Sequence, residues 1–233
     1  MSAPILNIVI AGVGGQGSVL ASRLLATSAL IAGAAVRSAE TIGMAQRGGS
    51  VLGHVRIAWP TKGERSLNDS DGQLGPHSPL VPLACADLLI GFEPGETLRA
   101  LPYLKYGGLV VSATTALTPP GAVLEHSDYD GSAQLSHLKT ARHNSRIGNL
   151  QLIGRMDRMD APDTDTPAYM PKVQNVVLLG AALRLLANTD IGAPLTLEIM
   201  RTSIERTVKA QFVDANLQAL MMGYHGPYHE HDA

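Results

Sequence analysis

The stretch Ile8-Val9-Ile10-Ala11-Gly12-Val13-Gly14-Gly15-Gln16-Gly17-Ser18-Val19-Leu20 constrains the fold more than any other in this chain. An apolar run breaks into a glycine turn and resumes as a helical pattern, which is how a buried strand feeds a helix. Gly12, Gly14 and Gly17 fit the GxGxxG spacing: a tight turn, close approach of backbone to a ligand or partner, and tight helix–strand packing. The helix that follows begins with unpaired N–H groups and the positive end of its dipole, so it can hold an anion. The same glycines serve equally well as a plain first turn of a doubly wound sheet. The pattern predicts a Rossmann-like three-layer α/β/α fold with a mostly parallel sheet and helices at the C-terminal end.

Composition narrows the function classes. With 233 residues, 45% hydrophobic content and a formal net charge of −2, the chain can bury a sizeable core and offers no electrostatic basis for nucleic-acid binding. No apolar run reaches the ~18 residues of a membrane span. Met1-Ser2-Ala3-Pro4 runs straight into the first strand without a basic leader, so a cytoplasmic protein is expected. One domain over residues 1–223 and a flexible tail over 224–233 are expected. The lone Cys85 cannot form an internal disulfide or supply the thiolates of an iron–sulfur cluster. In Leu83-Ala84-Cys85-Ala86, just before an apolar strand, it reads as a small buried thiol.

After the turn, Gly15–Ile31 reads as a helix, apolar nearly all round, with Gly33 as its stop. A strand near Ala34–Ala39 would complete a right-handed βαβ unit. Glu40 then stands roughly where an acidic residue binds the ribose of NAD, so a free-standing NAD(P)- or flavin-binding oxidoreductase is one candidate. The next stretch does not continue that pattern. Glu40-Thr41-Ile42-Gly43-Met44-Ala45-Gln46-Arg47-Gly48-Gly49-Ser50 is a glycine-bracketed polar segment ahead of a strand Val51–Ile57, and it reads as a loop presenting side chains.

Gly12–Gly17 together with Met44-Ala45-Gln46-Arg47-Gly48-Gly49-Ser50 resembles the gamma-type subunit or domain of 2-oxoacid:ferredoxin oxidoreductases, and in particular the beta subunit of the indolepyruvate branch. Ala86–Arg99 and Gln174–Ala181 support the likeness, which runs from about Ile8 to Leu186 with gaps and resumes in the final helix. Two stretches, Trp59–His77 and Ser127–Thr166, depart from the family pattern. The resemblance implies a subunit of a complex that converts a 2-oxo acid to acyl-CoA. Thiamine diphosphate, Mg and [4Fe-4S] clusters would sit on a larger partner subunit, CoA would be co-substrate and ferredoxin the acceptor through the complex. This chain would bind no cofactor alone and no metal. Gln46 and Arg47 would face the catalytic cavity and contact an anionic group. Gly12, Gly14, Gly15, Gln16, Gly17, Glu40, Met44, Gly48, Gly49, Glu93 and Asn175 would line the cofactor side.

The remaining chain reads more plainly. Asp87–Phe92 is a buried strand, and Glu93-Pro94 opens a helix in which Glu93 suits a capping role at least as well as a ligand contact. Pro102 and Gly107-Gly108 precede a strand Leu109–Ser112. Short strands are expected at Ala122–Glu125 and Leu150–Gly154. His126, His137 and His143 have no ligand spacing and read as surface residues. Helices are expected over Pro171–Ala187, Leu195–Val208 and Ala210–Met222, the last closed by Gly223. Asn175, in apolar company, must find a hydrogen-bond partner, for which the chain's own backbone suffices. The C-terminal helices could be core or a homodimer interface. The His-rich end, Tyr224–Ala233, reads as a frayed terminus rather than a metal site. A scaffold protein that kept the fold without its partner is a third reading.

Overall fold

The computed structural model describes residues 4–42, 49–60, 75–117, 129–154, 173–192 and 194–226. Among the described residues six strands form one sheet: β1 Ile5–Val13, β2 Ala35–Ile42, β3 Ser50–Ala58, β4 Ala86–Gly91, β5 Leu104–Ala113 and β6 Ile147–Ile153, in the order β2-β3-β1-β4-β5-β6. β1, β4, β5 and β6 pair in parallel, whereas β3 runs antiparallel to both β1 and β2. The expected mostly parallel α/β sheet is present. The simple βαβ unit is not, because β3 is inserted between β1 and β2.

β1 shows why an unbroken apolar run becomes a central strand. Leu6, Ile8 and Ile10 enter one core and Val9 and Ala11 the other, so the alternation of a strand buries both faces. The first core is closed by helices α1 Ser18–Ile31, α4 Gln174–Leu186, α5 Leu197–Thr207 and α6 Ala210–His225. The second is covered by α2 Pro94–Ala100, a 3₁₀ turn at Leu101–Tyr103 and α3 Ser132–His143. The result is three layers.

α1 ends where Gly33 adopts φ 79°: its N–H donates to Leu30 O and the next N–H, of Ala34, donates to Ala29 O, a Schellman closure. α5 lies against α1 through Ser203 Oγ, which donates to the Leu24 carbonyl at 2.9 Å. α4 and α6 cross at two glycines. A Cβ on Gly180 would strike the Leu220 carbonyl oxygen, and one on Gly223 would strike that of Val177. Gly223 therefore lies within α6 as a packing surface instead of ending it, and the helix continues through Tyr224 and His225.

Other differences have equally local causes. Helix α3 was not expected from the polar run Ser132–His143; of its residues only Leu138 is fully buried, so its apolar stripe is one residue wide. Cys85 is exposed, not buried. Ala84 before it turns at φ 56° and donates its N–H to the Pro102 carbonyl, which keeps Cys85 outside until β4 begins at Ala86. The expected strand Ala122–Glu125 and His126 lie outside the described residues; His137 and His143 are exposed. No described helix is long and apolar enough to cross a membrane.

The buried face of β3 carries a titratable group. His54, 2% exposed, accepts the Val81 N–H at Nδ1 and meets the Tyr103 ring edge-on at 5.4 Å. Burial lowers its pKa below the ordinary 6.5. The folded state thus keeps His54 neutral while the unfolded chain binds a proton as pH falls through about 6.5, so stability drops on acidification. His54→Gln, whose side-chain oxygen can still accept from Val81, is expected to flatten the fall in melting temperature between pH 7 and 5.5. Equal pH dependence in both proteins would contradict this.

Candidate functional site

The antiparallel insertion of β3 has a positional consequence. β1, β4, β5 and β6 end at the carboxyl edge of the sheet, and β3 begins there, so the glycine turn, the Gly49–Ser50 segment and the start of α2 share one edge. Open α/β sheets place ligands at that edge.

The turn is built from its own chain. Gln16 folds back over it: its Oε1 accepts the Val13 N–H at 2.7 Å and its Nε2 donates to the Phe92 carbonyl at 2.9 Å. A Cβ on Gly12 would meet Gln16 Oε1 at 2.9 Å and the Phe92 Cβ at 3.1 Å. Gly12 is therefore required by the return of Gln16. Gly15, at φ 99°, has open space beside it and is required by backbone conformation alone. Gly17, at φ 86°, sits at the N-cap of α1 and lies directly beneath Asn175. Asn175, 5% exposed, donates from Nδ2 to the Gly17 carbonyl at 3.3 Å and accepts the Val176 N–H at 2.9 Å. Its partner is the chain's own backbone, as the sequence suggested.

Gly14 donates its N–H to the Gly49 carbonyl at 2.8 Å, joining the turn to the far end of the glycine-bracketed segment. Met44, Gln46, Arg47 and Gly48 lie outside the described residues. The next residue, Ser50, donates from Oγ to Glu96 Oε2 on α2 at 2.5 Å, and Glu96 also pairs with Arg99 at 3.1 Å.

Glu93 is 3% exposed and caps α2, its Oε2 accepting the Glu96 N–H at 2.9 Å. Its Oε1 accepts the Tyr129 hydroxyl at 2.5 Å, and Tyr129 Oη in turn accepts the Gly95 N–H at 3.1 Å. Burial, reinforced by the bond to the Glu93 carboxylate, raises the Tyr129 pKa well above its ordinary value, so the phenol stays protonated. Thr97 completes this corner, donating to the Glu93 carbonyl at 2.7 Å and sharing a hydrogen bond with Ser112 of β5 at 2.9 Å. Capping is thus the role Glu93 occupies. Tyr129, Ser50 and Glu96 were missed in the sequence because each is polar, in polar surroundings, with its partner 34 to 46 residues away.

Glu40 stands apart. On β2 it is level with Gly53 of β3, which is level with Ile10 of β1. It is thus two residues short of the glycine turn and two strand spacings, ~10 Å, to the side. A ribose contact needs the acidic residue on the strand next to the turn, and β3 occupies that place. Among the described residues no group of three or more His, Cys, Asp or Glu could hold a metal.

The chain matches the family model for pyruvate ferredoxin/flavodoxin oxidoreductase over residues 7–226. It is 35% identical to an indolepyruvate oxidoreductase subunit IorB of Archaeoglobus fulgidus, over 94% of each chain. Its fold is similar to that of the gamma subunit of a keto/oxoacid ferredoxin oxidoreductase from Geobacter sulfurreducens, with TM-score 0.58 and 23% identity over 95% of both chains. It is also similar to part of a 2-oxoglutarate:ferredoxin oxidoreductase from Magnetococcus marinus, with TM-score 0.52 and 18% identity, covering 94% of this chain and 30% of that one.

Replacing Gln16 with Leu removes the partners of the Val13 N–H and the Phe92 carbonyl together. Urea denaturation of the purified chain is expected to show a loss of roughly 1–3 kcal/mol, the cost of leaving part-buried polar groups unpaired. An unchanged midpoint would mean that Gln16 does not hold the turn.

Proposed function

The chain belongs to the pyruvate ferredoxin/flavodoxin oxidoreductase family and is a subunit of a 2-oxoacid:ferredoxin oxidoreductase, and from that premise we propose that it completes the active site for oxidative decarboxylation of an arylpyruvate, indolepyruvate first, to its acyl-CoA. The observation that carries the choice of substrate is the 35% identity, over nearly the whole chain, to a relative named for indolepyruvate. Thiamine diphosphate, its Mg ion and the [4Fe-4S] clusters supply the carbon-bond chemistry and the one-electron transfers to ferredoxin. A cluster needs several thiolates and this chain has one cysteine, which lies exposed ahead of β4, so its residues do not fit the [4Fe-4S] groups; among the described residues no cluster of His, Cys, Asp or Glu is set to hold a metal ion either. We assign them to a larger partner subunit.

What this chain contributes is a wall and an anion contact. The Gly12–Gly17 turn, held by Gln16 and Asn175, and the segment Met44–Gly49 face the partner's cavity across the carboxyl edge. Arg47, with Gln46 beside it, contacts the carboxylate of the 2-oxo acid or a phosphate of CoA, because a guanidinium offers a rigid fork of donors that matches either group. Glu93 acts behind this wall by holding the first turn of α2. Nothing about Glu40 supports a nicotinamide or flavin role, since β3 separates it from the turn.

Arg47→Ala is expected to lower kcat/KM of the reconstituted complex by about 10- to 100-fold, as loss of a charge-assisted hydrogen bond does. The melting temperature of the isolated chain should hardly move. Parallel losses of turnover and stability would make Arg47 a structural residue and remove the anion contact from the account.

A further inference from the structure

Hydrogen bonds joined by short backbone links run along the carboxyl edge from Tyr129 to the glycine turn. The line starts at Tyr129, whose hydroxyl donates to Glu93 Oε1 and accepts from the Gly95 N–H. Glu93 Oε2 accepts from Glu96 N, and Glu96 Oε2 accepts from Ser50 Oγ. Ser50 adjoins Gly49, whose carbonyl accepts from Gly14 N in the glycine turn. A second line leaves the same corner one residue earlier, from the Phe92 carbonyl through Gln16 to Val13.

We propose that Tyr129 is a positioning residue: by fixing Glu93 and the first turn of α2, it sets the placement of Gly49–Ser50 against the glycine turn. The inference rests on the reading that this edge is the cavity wall. Physically, the phenol is suited to the task because it bridges two groups of one helix start. It donates to the capping carboxylate and accepts a first-turn N–H, so it fixes both the cap and the helix it caps. Glu93 is 3% exposed, so the bond is not exchanged for one to bulk water. Ser50, level with Val13 in the β1–β3 pairing, is exposed, and its hydroxyl ties that end of β3 to Glu96 on α2. Loss of the phenolic oxygen therefore acts beyond its own contacts, through Glu96 and Ser50 to Gly49 and the Gly14 amide, groups that Tyr129 never touches.

Two readouts test this, one of which does not depend on turnover. In the purified full-length chain, Tyr129→Phe is expected to speed amide hydrogen exchange at Gly14 about tenfold, the scale of one hydrogen bond. Exchange at Ala21, bonded to Gly17 O within α1, should stay as in the wild type. In the complex with its large subunit, Tyr129→Phe and Ser50→Ala should each lower kcat/KM for indolepyruvate about tenfold, and the double variant should fall no further than the worse single. Faster exchange confined to Gly95, with Gly14 unchanged, would overturn the proposal, as would multiplicative losses in the double variant. If the wild-type complex fails to turn over arylpyruvates, the functional reading falls and the Gly14 amide alone decides the role of Tyr129.

Discussion

The carboxamide of Gln16 joins the ends of two neighbouring parallel strands, taking the last N–H of β1 at Val13 and the carbonyl of Phe92 just past β4. Much of the carboxyl edge depends on that bridge. Gly12 has to be glycine so that the amide can return over the strand. The turn then closes over Gly15 and delivers Gly17 to the start of α1, where Asn175 reaches down from α4 to its carbonyl. A single side chain therefore registers β1, β4, α1 and, through Asn175, the helical layer above them. In the dinucleotide fold the glycines make room for a pyrophosphate. Here the space above Gly12 and Gly17 is filled by Gln16 and Asn175 of the same chain.

The insertion of β3 is the second constraint. An antiparallel strand between β1 and β2 brings both flanks of the glycine-bracketed segment to the carboxyl edge, one at Ile42 and the other at Gly49. It also moves Glu40 away from the position in which it would have suited a ribose. One topological step thus removes a nucleotide-binding arrangement and creates an edge from which a segment can be offered to a partner. The polar corner at Glu93, Tyr129, Glu96 and Ser50 holds that edge from the other side.

Elements whose signal is local were readable in the sequence. The apolar run of β1, the glycine turn, the Schellman stop at Gly33, the Glu93-Pro94 start of α2 and the apolar stripe of α4 each follow from residues adjacent in the chain. What depended on distant contacts was not. Strand order cannot be read from β1 and β2 alone, so the insertion of β3 was missed. Gly223 looked like a helix stop, since nothing nearby shows that Val177 of another helix presses on it. Cys85 looked buried because its neighbours are apolar, yet the turn at Ala84 holds it outside. Tyr129 could not be singled out, as its partners Glu93 and Gly95 lie 36 and 34 residues away. The family motifs, by contrast, were legible as fixed strings, and the described parts of two of them, the Gly12–Gly17 turn and Gly49–Ser50, lie together at the carboxyl edge.

The proposed division of labour, in which this chain shapes a cavity and a partner holds the reactive groups, makes a demand that a self-sufficient enzyme does not. Purified alone, this chain should neither reduce ferredoxin with indolepyruvate and CoA nor retain a nucleotide, and activity should appear only when the large thiamine- and cluster-bearing subunit is added. Steady-state turnover of the separate and recombined chains measures this directly. Ferredoxin reduction restored on mixing is the predicted result; turnover by this chain without a partner, or by the large subunit equally well without this chain, would contradict it.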